Sequence, residues 1–293
     1  MLFDEATLRK LNRLSLVAGR VRAGVLKGER RSTRRGAGTE FADFRRYTPG
    51  EDLRRVDWKV YARLDRPFLK LFEEEEDLAV HIFLDASRSM DWSEAEENKF
   101  RYARRLAAGL GAIALGSGDR LSLLPLASGR RLEPFGPARG PAATARLLLY
   151  LEELQVSGSA ELERDLKRYA LSARRPGLAF LLSDLLAPGD PLGGLVELQR
   201  RGYEAAVIHL LSPEELDPPL AGDLRLVDVE TGQAQEVSLD GGLRDLYRQR
   251  LQAWQEGIAA ECRRFGLRYL ALSTALPWER FILQELRRAG VIR

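Results

Sequence analysis

Hydrophobic and polar positions follow two regimes along this chain. Over residues 7–27, Leu8, Leu11, Leu14, Leu16, Val17, Val21 and Val25 recur at helical spacing, which predicts an amphipathic helix. Gly28 to Gly38 is basic and bounded by glycine, so it reads as a loop. From Phe41 to Tyr61 the aromatics keep neither period. That segment reads as an ordered wrap of short pieces, with Trp58 and Tyr61 as its buried aromatics. Residues 68–72 read as an edge strand and residues 73–77 as a solvated acidic junction.

From Leu78 onward the pattern changes to strands separated by helical stretches. Strands are expected at 78–84, 120–126, near 131–135, 178–184, 205–211, 224–229, 234–239 and 267–272. Helices are expected at 97–116, opening near Asn98, and at 141–154, 160–173, 191–201, 242–265 and 277–289. Thr231-Gly232 between two strand runs signals a hairpin, read as an insertion at about 223–240. Strands linked through helices require right-handed crossovers. The expected class is therefore α/β, a doubly wound and mainly parallel sheet with helices on both faces. Residues 1–76 read as an N-terminal helix and segment packed on a main domain at 77–293.

Two of the apolar runs end on a carboxylate. Leu78 to Leu84 stops on Asp85, and Leu178 to Ser183 stops on Asp184. Ser87 and Ser89 follow Asp85 at alternate positions, so one strand end offers three hard oxygens. That donor set suits a small divalent cation, Mg²⁺ above all, with Mn²⁺ or Ca²⁺ as substitutes. Open α/β sheets bind ligands beyond the carboxyl ends of their strands, where the strand order reverses. The competing explanation is a strand-end aspartate closed by local Asx and serine turns.

Asp85-x-Ser87-x-Ser89 resembles the metal-ion-dependent adhesion site of von Willebrand factor A domains. Upstream stand Gly28-Glu-Arg-Arg-Ser32, Arg35-Gly-Ala-Gly-Thr-Glu40-Phe41, Asp43-Phe-Arg45-Arg-Tyr47-Thr-Pro49-Gly50-Glu51-Asp52, Arg54-Arg55-Val-Asp57-Trp58 and Ala62-Arg63. This series is similar to the bacterial family known as domain of unknown function 58, which joins that signature to an A-type domain. The resemblance implies a third ligand loop at residues 156–162, where family A-type domains usually carry threonine. Ser159 is the best positional match there and Ser157 the second. The implied metal set is Asp85, Ser87, Ser89, Ser159 and Asp184, with one coordination place open to an acidic residue of a partner. The resemblance further implies a non-enzymatic module working with a MoxR-type AAA+ ATPase on an unidentified protein client. Many relatives carry N-terminal membrane helices; this chain resembles the shorter soluble form.

Charge and composition narrow the alternatives. The net charge is +3, but residues 1–70 hold 18 Lys and Arg against 9 Asp and Glu, so +9 faces −6 in the remainder. Such a basic block suggests nucleic acid as one alternative partner, disfavoured because acidic residues interleave with the arginines. Arg30, Arg31, Arg34 and Arg35 have Glu29 as their one nearby acid in sequence, and mark a candidate contact for an acidic protein surface. Arginine is abundant throughout, 40 against six lysines, so its identity there is weak evidence for phosphate.

A metal-assisted phosphohydrolase with Asp85 as nucleophile is the other alternative. An aspartyl-phosphate enzyme needs a second acid two positions on, where Ser87 stands. The chain has no phosphate-cradling Gly-x-x-x-x-Gly-Lys-Ser/Thr, and its two histidines, His81 and His209, lie inside apolar strands. One cysteine, Cys262, precludes an internal disulfide and fits a reducing compartment. With no apolar leader and no run long enough to span a bilayer, the expected location is the cytoplasm.

Overall fold

The structure, a computed structural model, describes residues 2–18, 40–48, 56–73, 78–92, 98–128, 132–172, 175–219, 222–227, 232–239 and 241–293. The chain divides into two compact units, residues 1–25 with 78–293, and residues 26–77. The first helix, Glu5–Leu11, is capped by Asp4 and belongs to the larger unit. There Phe3 stacks on Trp278 at 5.4 Å and the Ser117 hydroxyl donates to the Leu14 carbonyl.

The helix expected over residues 7–27 stops at Leu11. Residues 15–17 run extended instead, because the last strand-like residues of the chain compete for their backbone. Ser15 and Arg293 exchange backbone hydrogen bonds at 3.2 and 3.0 Å, and Val17 N–H donates to Val291 at 2.8 Å. Leu16, on the helical stripe in sequence, is buried by this pairing.

In the smaller unit, β1 (Glu40–Arg46) and β2 (Phe68–Glu73) pair antiparallel. Asp57 caps the helix Trp58–Leu64, its Oδ1 accepting from the backbone of Lys59 and Val60. Trp58 and Tyr61 pack edge-on against each other and remain 59% and 40% exposed, so they are not the buried aromatics expected. The short helix presents them outward. Arg30, Arg31, Arg34 and Arg35 and the acidic junction at 74–77 lie outside the described residues.

Further along, β3 (Ala79–Asp85), β4 (Arg120–Leu126), β5 (Phe135–Arg139), β6 (Leu178–Ser183), β7 (Glu204–Leu211), β8 (Gly222–Val227), β9 (Ala234–Leu239) and β10 (Arg268–Ser273) complete the strands described. Six of them form one sheet in the order β10-β7-β6-β3-β4-β5, while β8 and β9 pair antiparallel with each other. Every pair in the six-stranded sheet is parallel except β4–β5. The chain therefore winds outward from β3 in both directions, and the order reverses between β3 and β6. The fifth strand lies four residues later than expected. Its Gly136-Pro137 step falls inside an edge strand, where a residue without N–H is tolerated.

Period-two alternation sorts the side chains of the central strands. Val80, Ile82 and Leu84 of β3 and Leu178, Phe180 and Leu182 of β6 join the core on one face. The helices Lys99–Gly116 and Thr144–Glu153 cover that face. Phe83, Ala179, Leu181 and Val207 join the opposite core, under the helices Leu162–Ser172, Gly193–Arg200 and Gly241–Phe265. Each buried Val, Leu, Ile or Phe among them contributes about 1.5–3 kcal/mol by leaving water. The glycines of the central helix have a packing reason. A Cβ at Gly109 would lie 2.3 Å from Ile282, and one at Gly111 would lie 2.4 Å from Leu147. Among the described residues no helix is long and apolar enough to cross a membrane.

Candidate functional site

β3 and β6 are neighbours in parallel register, with Leu84 opposite Leu182. The next residues, Asp85 and Ser183, therefore emerge on the same face at the same rim. The Ser183 hydroxyl donates to Asp85 Oδ2 at 2.6 Å and accepts from the Leu185 N–H at 2.9 Å. Asp85 Oδ1 accepts from the Ser87 N–H at 3.0 Å and from the Ser87 hydroxyl at 2.6 Å. Ser87 and Ser89 Oγ lie 3.0 Å apart. Asp85 is fully buried and Ser87 nearly so.

Three loops are drawn together around this point by backbone hydrogen bonds. Ser157 N–H donates to Ala86 at 2.7 Å, Arg88 N–H to Gly158 at 2.9 Å, and Ser128 N–H to Ser159 at 2.6 Å. Gly158 has φ +57°, and a Cβ there would sit 2.3 Å from the Ser128 carbonyl oxygen, so the crossing requires glycine. The Ser159 hydroxyl faces Ser128 Oγ at 3.0 Å, and Ser157 Oγ donates to the Ser128 carbonyl at 3.4 Å. The predicted residues thus fall into three groups. Asp85, Ser87 and Ser89 touch, Ser159 stands one loop away against Ser128, and Asp184 belongs to an ionic cluster.

In that cluster, Asp184 Oδ2 accepts from Lys99 Nζ at 2.7 Å, and Oδ1 accepts from the Leu186 N–H at 3.1 Å. Lys99 also donates to Glu215 Oε1 at 2.5 Å. The Lys99 and Asp184 side chains are completely buried. Glu215 closes a capping box with Ser212 in the short helix after β7, its Oε2 accepting the Ser212 N–H at 2.8 Å. His209 Nε2 meets the Asp184 carbonyl at 3.0 Å. A carbonyl only accepts, so Nε2 carries the proton and Nδ1 accepts from the Tyr269 hydroxyl at 2.6 Å. Burial lowers the His209 pKa to about 4, which keeps the ring neutral. Leu185, between these groups, adopts φ +57° while buried, a strained conformation of the kind that collects at functional sites.

Burial, and after it the charge of Asp184, push the Asp85 carboxyl up to about 6, against the opposing hydrogen bonds of Ser183 and Ser87. Two carboxylates thus feel each other at one rim, and one of them, Asp184, is already paired with the Lys99 ammonium. Adjacent oxygens around an octahedral Mg²⁺ lie about 2.9 Å apart for metal–oxygen distances near 2.1 Å. The Ser87–Ser89 spacing of 3.0 Å matches that edge, and the donors are the hard oxygens such an ion prefers. Asp85, Ser87 and Ser89 therefore fit the ion. Among the described residues no group of three or more His, Cys, Asp or Glu is arranged for a metal. Lys99, Ser183, Glu215 and Ser128 were not anticipated. The signal for Lys99 was a lysine in the first turn of a helix, where the positive end of the helix dipole disfavours it.

The family model described as "Protein of unknown function DUF58" matches residues 43–257. The uncharacterized protein Rv1480 of Mycobacterium tuberculosis is 31% identical over 99% of this chain and 92% of its own length. The uncharacterized protein MAV169 of Mycobacterium avium is 32% identical over 41% of this chain and 71% of its own. Among solved structures, BatB from Bacteroides thetaiotaomicron is similar with 13% identity and TM-score 0.44, over 72% of this chain and 98% of that one. An aerotolerance-related membrane protein from Bacteroides fragilis is similar with 14% identity and TM-score 0.45, over 72% and 99%. By the family match and the near full-length mycobacterial relative, this chain belongs to the DUF58 family of proteins of unknown function.

Proposed function

We propose that the chain is a non-enzymatic protein-interaction module of the von Willebrand factor A type, which holds a divalent cation, Mg²⁺ by preference, at the rim between β3 and β6. The carrying observation is the Asp85–Ser87–Ser89 oxygen cluster at the point where the strand order reverses. Asp85, Ser87 and Ser89 hold the ion, Asp184 adds the second negative charge, and Ser159 is the candidate from the third loop. When bound, the cation supplies a Lewis-acidic position that an acidic side chain of a client can occupy. Ser183 orients the Asp85 carboxylate, and the backbone bonds of Ala86, Arg88 and Gly158 fix the serine-bearing loop, so the receiving surface is preorganised. Trp92 and Leu186 stand 47% and 52% exposed in the loops following β3 and β6, and supply apolar contact beside the ion. The working partner under this reading is a MoxR-type AAA+ ATPase acting on a client complex, in the cytoplasm.

The test is affinity capture from source lysate, with and without chelator. Wild type retains a client and an AAA+ ATPase only when Mg²⁺ is present, and Asp85→Ala loses both while its circular dichroism is unchanged. Capture that ignores both chelator and Asp85→Ala removes the reading. Turnover of a generic phosphoester that disappears in Asp85→Ala replaces it with hydrolysis.

A further inference from the structure

Lys99 is the one lysine in a helix of 18 residues, and its ammonium is withdrawn entirely from water. It lies between two carboxylates from different segments, Asp184 in the loop after β6 and Glu215 in the short helix after β7, at 2.7 and 2.5 Å. A buried ion pair of this kind costs heavily in desolvation and contributes little net stability, so its placement calls for another explanation. Its position supplies one. Asp184 Oδ2 is taken by Lys99 and Oδ1 by the Leu186 N–H, which leaves neither oxygen unengaged. Asp184 directly follows Ser183, whose hydroxyl bonds Asp85 Oδ2 at 2.6 Å, so its charge stands beside the oxygen cluster. With Asp85, Asp184 and Glu215 ionised and Lys99 charged, the rim carries two net negative charges, the amount a divalent ion neutralises.

We propose that Lys99 is a built-in competitor for the cation: by gripping Asp184 it withholds that carboxylate from direct ligation and holds the affinity of the rim for a divalent ion down. The inference deepens the reading of the oxygen cluster as a cation site and rests on it. A weakly held ion, rather than a permanently seated one, then makes cation loading and client binding mutually dependent, since each raises the affinity for the other.

The experiment is titration of the purified full chain with Mn²⁺ alone, followed by isothermal calorimetry and by the free-ion electron paramagnetic resonance signal. The informative variant is Lys99→Met with Glu215→Gln, which removes one positive and one negative charge, keeps the net charge of the rim, and releases Asp184. Mn²⁺ binds this variant about tenfold more tightly than wild type, because Asp184 is freed toward the ion while the net charge of the rim is unchanged. The gain disappears when Asp184→Asn is added. Unchanged or weaker binding by the double variant overturns the inference, whatever the wild type does. If wild type binds no Mn²⁺ and the double variant does, the competitor role stands and the resident-ion reading of the wild-type rim falls. If neither binds, both fall. Circular dichroism and thermal unfolding accompany each protein. Should the methionine variant not fold, Lys99→Gln with Glu215→Gln retains a hydrogen-bond donor without the charge and carries the same comparison.

Discussion

Asp85 sits at the end of a wholly buried strand, and its carboxyl rises to about 6 because burial disfavours the charged form and Asp184 adds a second negative charge. The folded pKa lies above the ordinary 3.8, so the folded chain holds the extra proton between those values. The stabilising effect of that proton is fully present below about pH 4 and is lost as pH rises through 6, a cost of about 3 kcal/mol without a cation. Asn cannot ionise. In urea unfolding with chelator, wild type should therefore lose about 3 kcal/mol more than Asp85→Asn between pH 4 and 7. Parallel pH profiles would contradict the burial argument. At this scale the contacts of Ser87 with Asp85 and with Ser89 were legible, because residues two apart at a strand end share a turn. Ser183 was not weighed, because its place beside Asp85 depends on β3 and β6 becoming neighbours in the register that sets Leu84 opposite Leu182. Lys99 and Glu215 were invisible as partners, being separated by 116 positions in sequence.

Among the elements, those whose periodicity is backed by burial were readable. The strand Arg120–Leu126 has the expected bounds, and the helix opening at Asn98 is capped by that residue, its side chain accepting from Arg101 N–H at 2.8 Å. Two of the failures have tertiary causes. The stripe at Leu14, Leu16 and Val17 suits a helix but is claimed by backbone pairing with the C-terminal residues, a long-range contact that outweighs weak local propensity. The Gly136-Pro137 step behaves likewise, since an edge position excuses what a central strand would reject. Loop geometry makes its own prediction. Gly158→Ala forces a left-handed backbone on alanine and drives a Cβ into the Ser128 carbonyl, so the loss should be about 1–3 kcal/mol in thermal or urea unfolding. Mn²⁺ binding should weaken with it, because the loop bonded to Ala86 and Arg88 shifts. Wild-type stability in this variant would show that the crossing does not depend on glycine. In the packed helix pair, Leu147→Ala should cost about 2–5 kcal/mol, since Leu147 is fully buried against Gly111.

For the whole molecule, the uneven charge offers a discriminating measurement. A chain held on nucleic acid by about six phosphate contacts loses about 10³-fold in affinity between 50 and 200 mM salt. A client held through one cation-bridged carboxylate should weaken by less than about tenfold over that range, read by capture at fixed Mg²⁺. A steep loss that ignores chelator would return the basic N-terminal block to the centre. The α/β class and the apolar strands that run into Asp85 and Asp184 were determined by sequence alone, because apolar period and residue chemistry are local properties. The reversal of strand order between β3 and β6 belongs to the tertiary structure, as do the pairing of Asp85 with Ser183 and the grip of Lys99 on Asp184 and Glu215. They depend on which strands become neighbours, and that is settled by packing two helical layers on one sheet rather than by any stretch of the chain read on its own.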